Sequence, residues 1–198
     1  MAISRISTSS IQQNFPKSTS FWDLTSVPEN GAYDSIATAN PTSGSSISFT
    51  FIPQTYKHLQ LRAIWNPGTT SRDLQLKVNT TAPTQAHYMQ GAGSVISVGS
   101  SDFDTNGWYI SLGNFNASYN NYPSAFVIDF LDYSDTNKNK TARALAGIEY
   151  NSGDTKGRVG LKSAFWNSTS VISSIEILQS GSAFGSIGNS FALYGIKG

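Results

Sequence analysis

The chain has 198 residues, 38% hydrophobic and 12% aromatic, which is enough for one good core and too few for two large domains. A net charge of +1 without any long basic run argues against nucleic-acid binding driven by phosphate neutralisation, and the absence of cysteine rules out disulfides, thiol nucleophiles and cysteine metal sites. No apolar run reaches the length of a signal peptide or a membrane span, so the expected product is made in the cytoplasm and does not insert into a bilayer.

Residues 1–20 are rich in Ser, Thr and Gln, with scattered apolar side chains at Met1, Ile3, Ile6, Ile11 and Phe15. They have neither helical nor strand periodicity. Two readings stand: an idle tail, or an arm that orders against an assembly partner through those apolar residues. Residues 21–198 are read as a single domain.

The domain reads as a series of half-buried strands. In "SISFTFIP", Ile47, Phe49 and Phe51 face one way, and Pro53 ends the run. "HLQLRAIW" places Leu59, Leu61, Ala63 and Trp65 on one face before the turn signal "NPG". "DLQLKVN" turns Leu74, Leu76 and Val78 inward, with Asp73, Gln75 and Lys77 outward. A short strand "SVISV" lies in a glycine-punctuated middle, followed by "WYISLG" with Trp108, Ile110 and Leu112 on one face.

"SAFVIDFLDY" is the most apolar run and is assigned to a central strand, with Phe126, Ile128 and Phe130 on one face and Val127, Asp129 and Leu131 on the other. "TARALAGIEY" has some helical propensity, but Gly147 and its neighbours tip it to strand. "RVGLKSAFW", "VISSIEIL" and "SFALYGIKG" complete the series. In the last, Phe191 and Leu193 share one face and Ala192, Tyr194 and Ile196 the other, which predicts a docked terminus. The sum is an all-β protein: a two-sheet antiparallel sandwich, jelly-roll-like, of about nine or ten strands.

Candidate chemistry is sparse. "DFDTNG" puts Asp102, Asp104 and Asn106 at the first ligand positions of a calcium loop, ahead of Gly107. The twelfth position is Gly113 where a bidentate Glu is needed, so an acid-rich turn is the competing reading and no cofactor is expected. "NFNASYNNYP" offers Phe115, Tyr119 and Tyr122 among amides, and "FWNS" adds Trp166; these aromatics suit stacking on a sugar ring or burial at a contact. "DYSDTNKNKTAR" carries charges that nearly cancel, which favours a solvated hairpin over an interaction loop. The two histidines, His58 and His87, fit no nucleophile motif. Asp129 and Asp132 face opposite sides of their strand, unlike a glycosidase pair. No catalytic residue is assigned.

Three stretches taken together, "IPQTYKHLQLR", "DYSDTNKNKTAR" and the terminal "FALYGIKG", resemble a family of small β-rich structural or tail-fibre-like proteins of tailed bacteriophages, notably aquatic ones. The intermediate "FWNSTSVISSIEI" fits as well, and the resemblance covers roughly residues 33–198. It implies a virion component, as fibre, decoration or tail-associated module, and not an enzyme. Its expected partners are other virion proteins and further copies of itself, a trimer being the favoured oligomer. The alternative is a carbohydrate-binding module that recognises host surface glycans.

Overall fold

The computed structural model describes residues 32–66, 73–112, 122–148, 157–181, 183–185 and 188–198. The described residues form thirteen strands and no helix. In chain order these are β1 (Tyr33–Ala39), β2 (Ser46–Phe49), β3 (His58–Trp65), β4 (Leu74–Val78), β5 (Gln85–Ala92), β6 (Val95–Ser100) and β7 (Phe103–Asp104). They continue with β8 (Gly107–Tyr109), β9 (Ser124–Leu131), β10 (Lys140–Ile148), β11 (Arg158–Trp166), β12 (Ile175–Gln179) and β13 (Ser190–Ile196). The count exceeds the expected nine or ten by β1, β5 and β7: β7 is two residues long, and "YDSIATA" and "QAHYMQGA" carry no clean apolar alternation to read in advance. The expected domain boundary at residue 21 lies outside the described residues, and the first described strand begins at Tyr33.

Two antiparallel sheets result, an eight-stranded one in the order β1-β13-β3-β9-β10-β11-β5-β6 and a five-stranded one in the order β2-β12-β4-β8-β7. The pairings β1·β13, β2·β12, β3·β9 and β4·β8 are nested, outermost with outermost and innermost with innermost. Within the sheets these eight strands run β1-β13-β3-β9 and β2-β12-β4-β8, which is the order of a jelly roll. Two insertions enlarge it. The first adds β5, β6 and β7 between β4 and β8; the second adds β10 and β11 between β9 and β12. Their long strands extend the larger sheet beyond β9.

The core follows from the period-two pattern. Leu59, Leu61, Ala63 and Trp65 meet Phe126, Ile128 and Phe130 on one side and Phe191 and Leu193 on the other, nearly all fully buried. Between Lys140 and Ile148 on β10, and on either side of Lys162 on β11, the inward residues shrink to Ala142, Ala144, Ala146, Gly160 and Ala164. That small-residue floor makes room for the bulky Trp108, Ile110 and Leu112 of the facing sheet. A Cβ on Gly160 would lie 2.4 Å from Leu112 Cδ2. Trp108 meets Trp166 edge-on, with ring centroids 6.3 Å apart. Trp65 Nε1 donates to Gln179 Oε1 at 2.7 Å, tying β3 to β12 across the sandwich.

Two assignments are corrected. Phe51 does not continue the inward series of Ile47 and Phe49: β2 ends at Phe49, and Phe51 adopts φ 53° and is 95% exposed. Gln75 lies on the side of β4 away from Leu74 and Leu76, as expected, but it is buried there and not solvated, with its Nε2 donating to Asp104 Oδ1 at 2.8 Å.

Candidate functional site

The three stretches that carry the family resemblance meet in one corner. The Lys57 N–H donates to the Ile196 carbonyl at 2.8 Å, and the Asp132 N–H donates to His58 Nδ1 at 3.0 Å. Asp132, with φ 47°, accepts ion pairs from Lys138 at 2.7 Å and Lys57 at 3.0 Å. The hydrogen bond from Lys138, with that from Lys57 next, holds its carboxyl at about 2, below the usual range. Buried Lys140 caps the same loop by donating to the Asp135 and Lys138 carbonyls, and Tyr133 donates its hydroxyl to the Pro53 carbonyl. Lys197 pairs with Asp34 at 2.9 Å. The charges of this corner are spent on one another, and its work is to lock the last strand in place.

The calcium-like turn is also internally satisfied. Asp104 accepts from the Asn106 N–H at 2.6 Å, from Gln75, and from the Tyr109 hydroxyl at 2.8 Å. Asp102 is drawn the other way, to Lys162 Nζ at 2.7 Å. Lys162 is buried between the sheets, where Nζ also donates to the carbonyls of Tyr109 at 2.8 Å and Ser111 at 2.5 Å. Desolvation lowers the Lys162 pKa and raises that of Asp102, while Tyr109 is pushed up to about 12, first by burial and then by Asp104. Asp102, Asp104 and Asn106 thus do not converge on a common point as cation ligands, and no group of three metal-ligating side chains occurs among the described residues. The turn is the foot of the β7–β8 hairpin, joined to β11 by a buried lysine that the sequence reading did not single out. A lone Lys at an inward position of "RVGLKSAFW" was the available signal.

Of the sugar-stacking candidates, Phe115 and Tyr119 lie outside the described residues, as do Met1, Ile3, Ile6, Ile11 and Phe15 of the N-terminal segment. Tyr122 is partly buried against the core. Trp166 is corrected: it is 3% exposed, stacks edge-on with Trp108 and donates Nε1 to the Thr81 carbonyl at 3.0 Å, so no ring face is open to a sugar.

The open surface lies elsewhere, on the side of the eight-stranded sheet that faces away from the core. A cross-strand row there reads Val127, Leu145, Leu161, Met89, Val98, each directly opposite the next. The adjacent row reads Gln60, Asp129, Arg143, Ser163, His87. All of these residues but Val98 and Gln60 line an open groove of about 700 Å³. At the β1 end, the Arg62 guanidinium sits 4.9 Å from the Tyr33 ring centroid and 5.0 Å from that of Tyr194. Arg62 Nε donates to Gln60 Oε1 at 2.7 Å, and Gln60 Nε2 donates to Asp129 Oδ1 at 2.7 Å. Such an arrangement is suited to holding another surface by apolar contact beside a fixed polar rail.

No protein-family model, curated protein or solved structure matches this chain.

Proposed function

We propose that the chain is a structural jelly-roll component of a tailed-phage virion that acts by assembly, with the outer face of its eight-stranded sheet as the working surface. The observation that carries the reading is the five-strand apolar row on a sheet whose other face is already covered. Exposed patches of this extent mark interaction sites more often than idle surface. The resemblance adds support, because the stretches it rests on build one structural corner. Antibody-gold labelling of purified particles tests the proposal: label at a fixed position on the capsid or tail is expected, and label absent from intact particles that contain no such protein would overturn it. The reading is non-enzymatic, and cleavage of host capsule or lipopolysaccharide by the purified chain would also overturn it.

A second reading, attachment through host glycans, is favoured by one feature, the Tyr33–Arg62–Tyr194 stack beside the Gln60–Asp129 hydrogen bond. Aromatic rings next to fixed amide and carboxylate groups suit a saccharide. Glycan-array binding that is lost in Tyr33→Ala and Tyr194→Ala supports it; an array with no signal counts against it.

A further inference from the structure

The apolar row is half or more exposed along most of its length: Val127 37%, Leu145 51%, Leu161 52%, Met89 49% and Val98 72%. The row on its other flank adds Ile64 at 50%, Val159 at 57% and Ile96 at 77%. Register ties these together, since Ile64 opposes Ala125, Ala125 opposes Gly147, Gly147 opposes Val159, and Gly91 bridges Val159 to Ile96. Eight strands spaced about 4.8 Å apart, seven or so residues tall at about 3.3 Å each, make a face of roughly 900 Å². A stable two-protein interface needs about 800 Å² from each partner.

We propose that a second copy of this chain docks on this face, related by a two-fold axis parallel to the strands and lying between β9 and β10. That axis passes through the middle of the sheet, with four strands on each side, so the two faces overlap fully. It keeps every row opposite the same row of the other copy. Val127 then faces Leu145 of the second copy, and Ile64 faces Val159. In the polar row, Asp129 faces Arg143 of the second copy, and the reverse contact forms by symmetry. Arg143 is exposed and makes no ion pair among the described residues; Asp129 stands opposite it on β9 of its own chain, and the second copy's Asp129 brings another carboxylate over it. The face meets its own image without a like-charge clash at its centre.

The inference deepens the assembly reading, since both rest on the same sheet face, but its test is separate. It concerns the chain alone in solution, and particle labelling neither supports nor removes it. Light scattering of the full chain at about 100 µM should give twice the chain mass of 21.3 kDa. Leu145→Lys and Leu161→Lys should each give a single mass with an unchanged circular dichroism spectrum. Arg143→Asp should raise the dimer dissociation constant about ten-fold or more, and Arg143→Asp combined with Asp129→Arg should recover most of that loss. The charge pair keeps the test valid even where a Lys variant fails to fold. A monomeric wild type would overturn the proposal and hand the face to a different partner. A trimer, or a dimer lost on Ile96→Pro but untouched by Leu145→Lys, would also overturn it, the latter in favour of edge pairing through β6.

Discussion

Gly195 shows how much a single absent methyl group decides. Its backbone lies under the Tyr56 ring, and a Cβ placed there would stand 2.3 Å from two ring carbons close to the chain. A tyrosine ring anchored that near its own backbone has little freedom to step aside, so Gly195→Ala must spread β13 from the loop before β3. Overpacking of this kind costs about 1–3 kcal/mol, and a thermal melt should show the midpoint falling by several degrees. Gly91→Ala is the matched comparison. Its nearest contact would be Val159 Cγ1 at 4.0 Å, and lost unfolded-state entropy should leave the midpoint unchanged or slightly higher. Equal losses in the two variants would mean that strand propensity, and not the Tyr56 contact, sets the need for glycine. Asp132 is the charged counterpart in the same corner. Its carboxyl sits at about 2 in the fold, against 3.8 unperturbed, because Lys138 and Lys57 bond the ionised form. A depressed folded value stabilises above the unfolded one and is lost as pH falls through the folded one. Asp132→Asn keeps a residue type that tolerates φ 47° and removes only the charge. The melting advantage of wild type over this variant should be full near neutral pH, shrink from about pH 4 downward and vanish only below pH 2. It should also shrink in high salt, since the lysines are exposed. A gap at pH 2 as large as that at pH 7 would assign the effect to the backbone.

At the scale of strands, Lys162 is the element that ties the inserted β11 to the β7–β8 hairpin. Its ammonium serves Asp102 and two backbone carbonyls in a space where its side chain is 3% exposed. Lys162→Met would fill the volume and leave that carboxylate and both carbonyls short of a donor. Removing one partner of a buried pair costs about 3–5 kcal/mol, and chemical denaturation should register a loss of that order. A loss under about 1 kcal/mol would mean that water replaces the ammonium at little cost. The sequence foretold the alternation of β9 and β13 because each buries residues on one face with a strict period of two, and that of β3 because Gln60 alone departs from it. It failed at Phe51, where a positive φ breaks the period, and at Gln75, where a buried amide is satisfied by an acid 29 positions away. It misplaced Trp166 because an indole near a strand end reads the same whether its ring meets water or Trp108. The outer face was half visible: Val127, Leu145, Val159 and Leu161 each make their strand apolar on both sides. What no single strand discloses is the register that lines those residues up across five strands.

The nested pairing of the whole molecule has a kinetic consequence. Each jelly-roll pair encloses the next in sequence, so the contacts lengthen outward from β4·β8 to β1·β13, where Tyr33 lies opposite Ile196. Closing such loops costs entropy before their contacts return anything, which slows folding. The last strand also lies inside the sheet and not at its rim, with β1 on one side and β3 on the other. Until β13 arrives, β1 has no partner and the inward faces of Leu61 and Ala63 lack Leu193 and Phe191. Refolding from denaturant should therefore take milliseconds to seconds or longer, and the signal of β1 should appear with that of β13. A chain ending at Asn189 should not fold to a weaker version of the same sandwich. It should lack a cooperative melt and the dispersed amide spectrum of the full chain, because Phe191 and Leu193 are both fully buried and the two strands beside them lose their hydrogen-bond ladders together. A truncated chain that melts cooperatively near the full-length midpoint would show that β3 and β9 hold the sheet without the closing strand, and that the corner built from Lys57, Asp132 and Lys138 is stable without the terminus it encloses.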